Sequence, residues 1–170
     1  VNKINPGDSN RITREYLDSI LIESRLIDSV LPDLGLSLYG HRFETPIMTA
    51  ALSHLNQCHE DGMVEMARGA EAAKAVTWAG MGDEAELEGM IHTGAKVIKI
   101  IKPYADEEHI CRKIRHAEES GAIAVGMDID HSFNRSGGVD VIHGLVMEPK
   151  TAAQLESYVK ATRLPFIIKG

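Results

Sequence analysis

Five short apolar runs, separated by stretches of helical spacing, constrain this chain more than any other feature. They are "PIMTA" (46–50), "AVTWAG" (75–80), "KVIKIIK" (96–102), "AIAVGMDID" (122–130) and "LPFIIK" (164–169). The runs are continuous rather than alternating, so each reads as a strand buried on both faces, as in a parallel sheet covered by helices. The intervening segments supply those helices. In "EDGMVEMARGAEAAK" Met63, Met66, Ala67 and Ala70 share one face, and in "ADEEHICRKIRHAEESG" Ile110, Ile114 and Ala117 do the same. "DEAELEGMIHTG" reads as a short helix stopped at Gly94, and "EPKTAAQLESYVKAT" as a fourth crossover helix. Strand and helix in alternation predict an α/β fold, either an open doubly wound sheet or part of an eight-stranded barrel.

Ahead of the first run the pattern differs. "DSNRITREYLDSIL" places Ile12, Tyr16 and Ile20 at fourfold spacing behind Asp8 and Ser9, two candidate N-caps. "LGLSLYGHRFETP" has short alternating pieces broken at Gly40, which predicts a small hairpin. The expected division is a helix-and-hairpin extension over 1–45 and a strand–helix domain over 46–170. At 170 residues, 44% hydrophobic and 25% charged, the chain is long enough for one ordinary core. No apolar run approaches the ~18 residues of a membrane helix, and "VNKINPGDSN" lacks the apolar centre of a signal peptide. A net charge of −7 argues against nucleic acid or an anionic membrane as the main partner. Two cysteines, Cys58 and Cys111, fit no zinc spacing and read as reduced thiols in a cytoplasmic protein. The first residue is valine, which suggests a piece of something longer.

In either architecture, function gathers where strands end: Thr49 to Ser53, Gly80 to Gly82, Lys99 to Lys102, Asp128 to His131, and Lys169. Gly80 and Gly82 either bring backbone close to a ligand or simply make a turn. Lys99 shares a strand face with Val97 and Ile101, so it either meets an acceptor inside or reaches water at the rim. "GMDIDHSFNR" gathers Asp128, Asp130, His131 and Arg135, whose carboxylates suit a metal, a ring N–H or a loop cap. "HLNQCHED" offers His54, Cys58, His59 and Asp61, the last an expected helix N-cap. Lys169, ending an apolar strand, pairs with a carboxylate, forms a Schiff base, binds an anionic cofactor group, or reaches solvent.

These stretches resemble the FMN-dependent 2-hydroxy-acid oxidase/dehydrogenase family, which includes glycolate and lactate oxidases. "SRLID" is similar to the family's Pro-Arg-x-Leu segment, and "LYGHRFETPIMTA" to the approach to its first barrel strand. "CHEDGMVEMARGAEAAK" resembles the His-Pro-x-Gly-Glu helix start, and "DIDHSFNR" the Asp-Thr-Pro segment with its downstream arginine. "TRLPFIIKG" is the most specific match, nearly the family's Leu-Pro-x-x-x-Lys-Gly strand.

The resemblance implies a (β/α)8 barrel, of which this chain supplies the first five strands. The family's catalytic histidine, main substrate arginine and phosphate-binding segments would then lie in a carboxyl-terminal half outside this chain. It implies FMN as cofactor, a 2-hydroxy acid as substrate, hydride transfer to flavin N5, and a homo-oligomer, a tetramer in the family. Lys169 matches the lysine at the flavin N1–O2 edge, and Arg135 an arginine that approaches the substrate carboxylate; these are the expected catalytic residues. Asp128 matches a position near the pyrimidine edge, while Ala51, Leu52 and Ser53 occupy the place of a backbone platform beneath the flavin. Gly80 stands for a flavin-contacting serine, Lys99 for a flavin-binding glutamine, Ile101 for an active-site tyrosine, and Gly126 for a flavin-bonding threonine. The loop after the fourth strand is short for the family. Two alternatives stay open: another FMN barrel, such as a type 2 isopentenyl diphosphate isomerase, and a flavin-binding module without catalysis.

Overall fold

The β-branched runs form strands and the amphipathic stretches between them return the chain for the next one. The computed structural model describes residues 7–170. These fall into two units, divided between Asp33 and Leu34. In the first unit, α1 spans Gly7–Ser19 and already includes Asp8 and Ser9, so neither is its N-cap. Asp8 instead sits in the first turn, where its charge suits the positive end of the helix. Residues 20–33 have no regular structure, and Leu21, Ile22, Leu26, Ile27, Val30 and Leu31 are exposed.

The second unit holds β1 (Leu36–Leu38) and β2 (His41–Phe43), then β3 (Val76–Ala79), β4 (Lys96–Ile101), β5 (Ala124–Asp128), β6 (Val141–Ile142), β7 (Leu145–Val146) and β8 (Phe166–Lys169). Its helices are α2 (Gly62–Ala72), α3 (Glu84–His92), α4 (Glu107–Ser120) and α5 (Ala152–Lys160). The main sheet runs β3-β4-β5-β8, parallel throughout and in chain order. Right-handed crossovers between neighbouring strands taken in sequence put every helix on the same side. That is the winding of a barrel; a doubly wound sheet reverses its order part-way.

Strand parity sorts the core into two layers. Ala79, Val97, Ile101, Val125 and Met127 face the helices, packing with Met63, Ala67, Leu87, Met90, Ile110, Ile114 and Ala117. Val76, Ile98, Ile100 and Ala124 face the other way, toward the barrel interior, floored by Phe43, Leu36 and Leu38 of the β1–β2 hairpin. The hairpin packs on the sheet within the second unit, which begins at Leu34.

The first expected strand is reduced to two parallel bridges, Met48–Val76 and Leu52–Ala79. Between them a side chain replaces the ladder: the Trp78 N–H donates to Thr49 Oγ1 at 3.0 Å, and Thr49 shares a 2.9 Å hydroxyl contact with Thr77. Helix starts follow their caps. Asp83 accepts from the Glu86 N–H, Asp106 from the His109 N–H, and Thr151 forms a capping box with Gln154. Asp61 holds the N-cap position of α2 as expected, but its side chain makes no capping bond.

Candidate active site

At the carboxyl ends of the strands, the interior face closes on three charged side chains. Asp128, the last residue of β5, is 6% exposed. The Lys102 ammonium, just past β4, donates to its Oδ2 at 2.7 Å, and the Lys169 ammonium, at the end of β8, to its Oδ1 at 2.9 Å. Parity explains the meeting: Ile98, Ile100 and Lys102 alternate to one side of the sheet, as do Ala124, Gly126 and Asp128, and register pairs Asp128 with Lys169. Burial pushes the Asp128 carboxyl up, but hydrogen bonds, from Lys102 foremost and also from Asp130 and Lys169, outweigh it and hold the group at about 2. Two ammonium groups meet on one carboxylate, with the Asp130 carboxyl beside it.

Beneath this rim the face is apolar, made of Ile100, Gly126 and Trp78. Gly80, Ala51, Leu52 and Ser53 are brought together beside it. The Gly80 N–H donates to the Leu52 carbonyl at 2.9 Å, and a Cβ on Gly80 would lie within 2.7 Å of Ser53 Oγ and the Leu52 and Ala51 carbonyls. Glycine is thus required here by the chain's own backbone, whatever else approaches it.

Lys99 goes elsewhere. It lies on the helix side of the sheet with Val97 and Ile101, 4% exposed, and donates to the Gly80 carbonyl at 2.7 Å. Burial, then the neighbouring Lys113 ammonium, bring it down to about 8 against the pull of Glu86 and Asp83. The interior positions of this strand are therefore Ile100 and Lys102, one residue later than the expected Lys99 and Ile101. Lys102 closes the stretch Lys99 to Lys102 singled out from the sequence, but the sequence reading gives it no role. The available signal was parity, since two lysines three apart on a strand face opposite sides. Arg135 is exposed in the loop after β5 and makes no ion pair with this group. Among the described residues no three His, Cys, Asp or Glu side chains converge as a metal site. His131 pairs instead with Asp140, and His54 meets His143 at 3.1 Å. Cys58 and Cys111 are free thiols.

A cleft of about 690 Å³ opens on the helix side, lined by His54, Glu86, Tyr104, His109 and Lys113 among others. It includes neither Asp128 nor Lys169. The interior rim is the better candidate because charge converges there, at the carboxyl ends of parallel strands.

A family model for FMN-dependent dehydrogenases matches residues 4–169. This chain belongs to the FMN-dependent dehydrogenase family. No curated protein matches it. Among solved structures, a mandelate oxidase variant with (S)-mandelic acid superposes with a TM-score of 0.82 at 19% identity, covering 98% of this chain and 53% of that one. Mandelate oxidase with (S)-4-hydroxymandelic acid gives 0.82 at 17%, covering 98% and 56%. A variant holding an FMN adduct gives 0.79 at 20%, covering 98% and 54%. The chain spans about half the length of these structures, and its sheet is part of the barrel they share. No described helix is long and apolar enough to cross a membrane.

The family's cofactor is FMN, and the rim fits one edge of it. Ammonium groups above an apolar, side-chain-poor floor suit a flat ring that gains negative charge on reduction. Lys169, beside Asp128, keeps its ammonium partly exposed at this rim.

Proposed function

We propose that this chain carries the first part of an FMN-dependent enzyme that oxidises a 2-hydroxy acid to a 2-oxo acid. The observation that carries the reading is the Lys102–Asp128–Lys169 group at the carboxyl ends of β4, β5 and β8. Bound FMN would accept the hydride equivalent removed from the acid. Asp128 fixes both lysines through its two oxygens, so they are in place before the reaction and need no reorganisation during it. Lys169 steadies the charge that develops at the ring edge. The floor of Ile100 and Gly126 keeps water from beneath the site, which strengthens each of these interactions. We also propose a homo-oligomer, a tetramer as the resemblance implies, working in the cytoplasm, with the family's proton-abstracting histidine on the remaining barrel strands.

The test is the visible spectrum of the full-length protein after loading with FMN, recorded anaerobically with a panel of 2-hydroxy acids. The expected result is a yellow protein bleached by at least one of them. A protein that takes up no FMN removes the reading altogether. One that is yellow but bleached by none favours a flavin-binding module, a reading supported by Gly126 and Ile100, which offer the ring no side-chain hydrogen bond.

A further inference from the structure

The loop after β3 is gripped by its carbonyls from the helix layer. The Lys99 ammonium donates to the Gly80 carbonyl at 2.7 Å, and the Lys113 ammonium of α4 to the Gly82 carbonyl at 3.2 Å. On its other flank Gly80 gives its N–H to the Leu52 carbonyl at 2.9 Å and lies too close to Ala51, Leu52 and Ser53 for any Cβ. Gly80 therefore joins a buried lysine to the segment that the resemblance places beneath the ring. A trans peptide points its C=O and N–H in opposite directions, so a fixed Gly80 oxygen turns the Met81 N–H away from Lys99. With glycine on both sides of Met81, the chain itself opposes rotation of this peptide least, and the lysine sets it.

Packing alone does not call for lysine at this position. An apolar side chain beside Val97 and Ile101 would fill the helix layer without taking an ammonium out of water. Lysine adds a strong donor to one carbonyl. It also adds a charge that titrates near neutral pH, since burial and then Lys113 bring Lys99 down to about 8 against Glu86 and Asp83. The remaining charged groups at this corner are Glu84 and Arg112, which face Lys113, His109 beside them, and His54, which faces Glu86.

We propose that Lys99 is a positioning residue of the FMN site, acting from the opposite layer of the sheet through the Gly80 carbonyl that it holds. The inference rests on the FMN reading and goes beyond it, since the resemblance gives this position a direct flavin contact, whereas Lys99 lies buried in the helix layer. With the ammonium in place, the Gly80 peptide and the 51–53 segment keep one arrangement. When Lys99 loses its proton, the neutral amine still reaches the carbonyl but donates more weakly, and the hold loosens. FMN affinity therefore falls as pH rises through about 8.

The experiment uses the full-length protein, with FMN as the titrant and glycine labelled with carbon-13 at its carbonyl. Lys99→Met, similar in length and uncharged, removes the donor, while Ile101→Val on the same strand face loosens packing alone. At pH 7 Lys99→Met is expected to weaken FMN on the order of tenfold, and Ile101→Val by less than about twofold. In the parent, FMN affinity should drop several-fold between pH 7 and 9, and the Gly80 carbonyl signal of the unloaded protein should move over the same range; in Lys99→Met both stay flat. FMN affinity in Lys99→Met within about twofold of the parent at pH 7 overturns the proposal, as does a Gly80 signal in the parent that ignores pH. If Lys99→Met does not fold, Lys99→Gln decides, because it keeps a donor without a charge. It should hold FMN within a few-fold of the parent at pH 7 with no pH dependence, and a dependence matching the parent's overturns the proposal. A parent that takes up no FMN overturns both this inference and the proposed function. A parent that takes it up regardless of Lys99 overturns this inference alone.

Discussion

Asp128 is the residue on which the rim depends, because both lysines are held by its two oxygens. Asp128→Asn leaves two ammonium groups facing a neutral amide and is expected to destabilise the full-length protein by about 3 kcal/mol at pH 7, measured by urea unfolding. The native carboxyl is held at about 2, below its ordinary 3.8. Its stabilisation is therefore present above about pH 4 and fades as pH falls through about 2, and the gap between parent and variant should close over that window. An unchanged gap at pH 2 would show that the loss came from packing instead of charge. In Lys99 it is the neutral form that the fold favours. Held at about 8 against 10.5 when free, it sheds its proton in the folded protein first. Between pH 7.5 and 9.5 the parent should gain about 2 kcal/mol over Lys99→Met, whose unfolding is free of this linkage. A flat difference across that range would sink the assignment of Lys99 to the helix layer as a strained cation. Lys169 and Asp128 were legible from sequence because each ends an apolar run. Lys102 was not, because Lys99 three residues earlier is the more conspicuous lysine in "KVIKIIK" and only the sheet's facing decides between them.

Among the elements, the long ones were readable and the short ones were not. The four crossover helices carry their apolar faces and, in three cases, side-chain caps in the sequence, so their places follow from local chemistry. β6 and β7, two residues each, show no period at all, and they form because His143 and Gly144 take positive φ at the turn between them. "PIMTA" reads as a strand, but Pro46 has no N–H to give, and after the Thr49 N–H reaches the Val76 carbonyl the Trp78 N–H is taken by the Thr49 hydroxyl, so regular pairing stops short. Gly126 shows how closely β5 and β8 fit. A Cβ there would lie 2.5 Å from the Ile167 carbonyl and 3.0 Å from Ile100 Cδ1. Gly126→Ala should thus lower stability by about 1–3 kcal/mol, read from the midpoint of denaturant unfolding, and a neutral result would mean that β8 can shift.

For the molecule as a whole, sequential strand order is the decisive fact. It places the four crossover helices outside and leaves the interior face to the hairpin below and the charged rim above. The sequence allowed two windings, since the order of strands across a sheet depends on contacts between distant segments and not on local pattern. β8 is an edge among the described residues, and Ile168 on it is 56% exposed. Its outward amides point away from β5, to where the next strand of a barrel would lie. In the full-length protein we expect the Ile168 amide to exchange slowly with deuterium, as a paired strand does. Fast exchange there would mean that the sheet stops at β8.

Trp78 is the chain's single tryptophan. It lies half-buried on the interior face, its ring N–H directed to the Met48 sulfur at 3.3 Å, two residues short of Gly80. Its emission overlaps the absorption of an oxidised flavin, so an occupied site should darken the protein's ultraviolet fluorescence by energy transfer. The molecule thus carries its own optical gauge of occupancy, set into the wall of the site and needing no added dye.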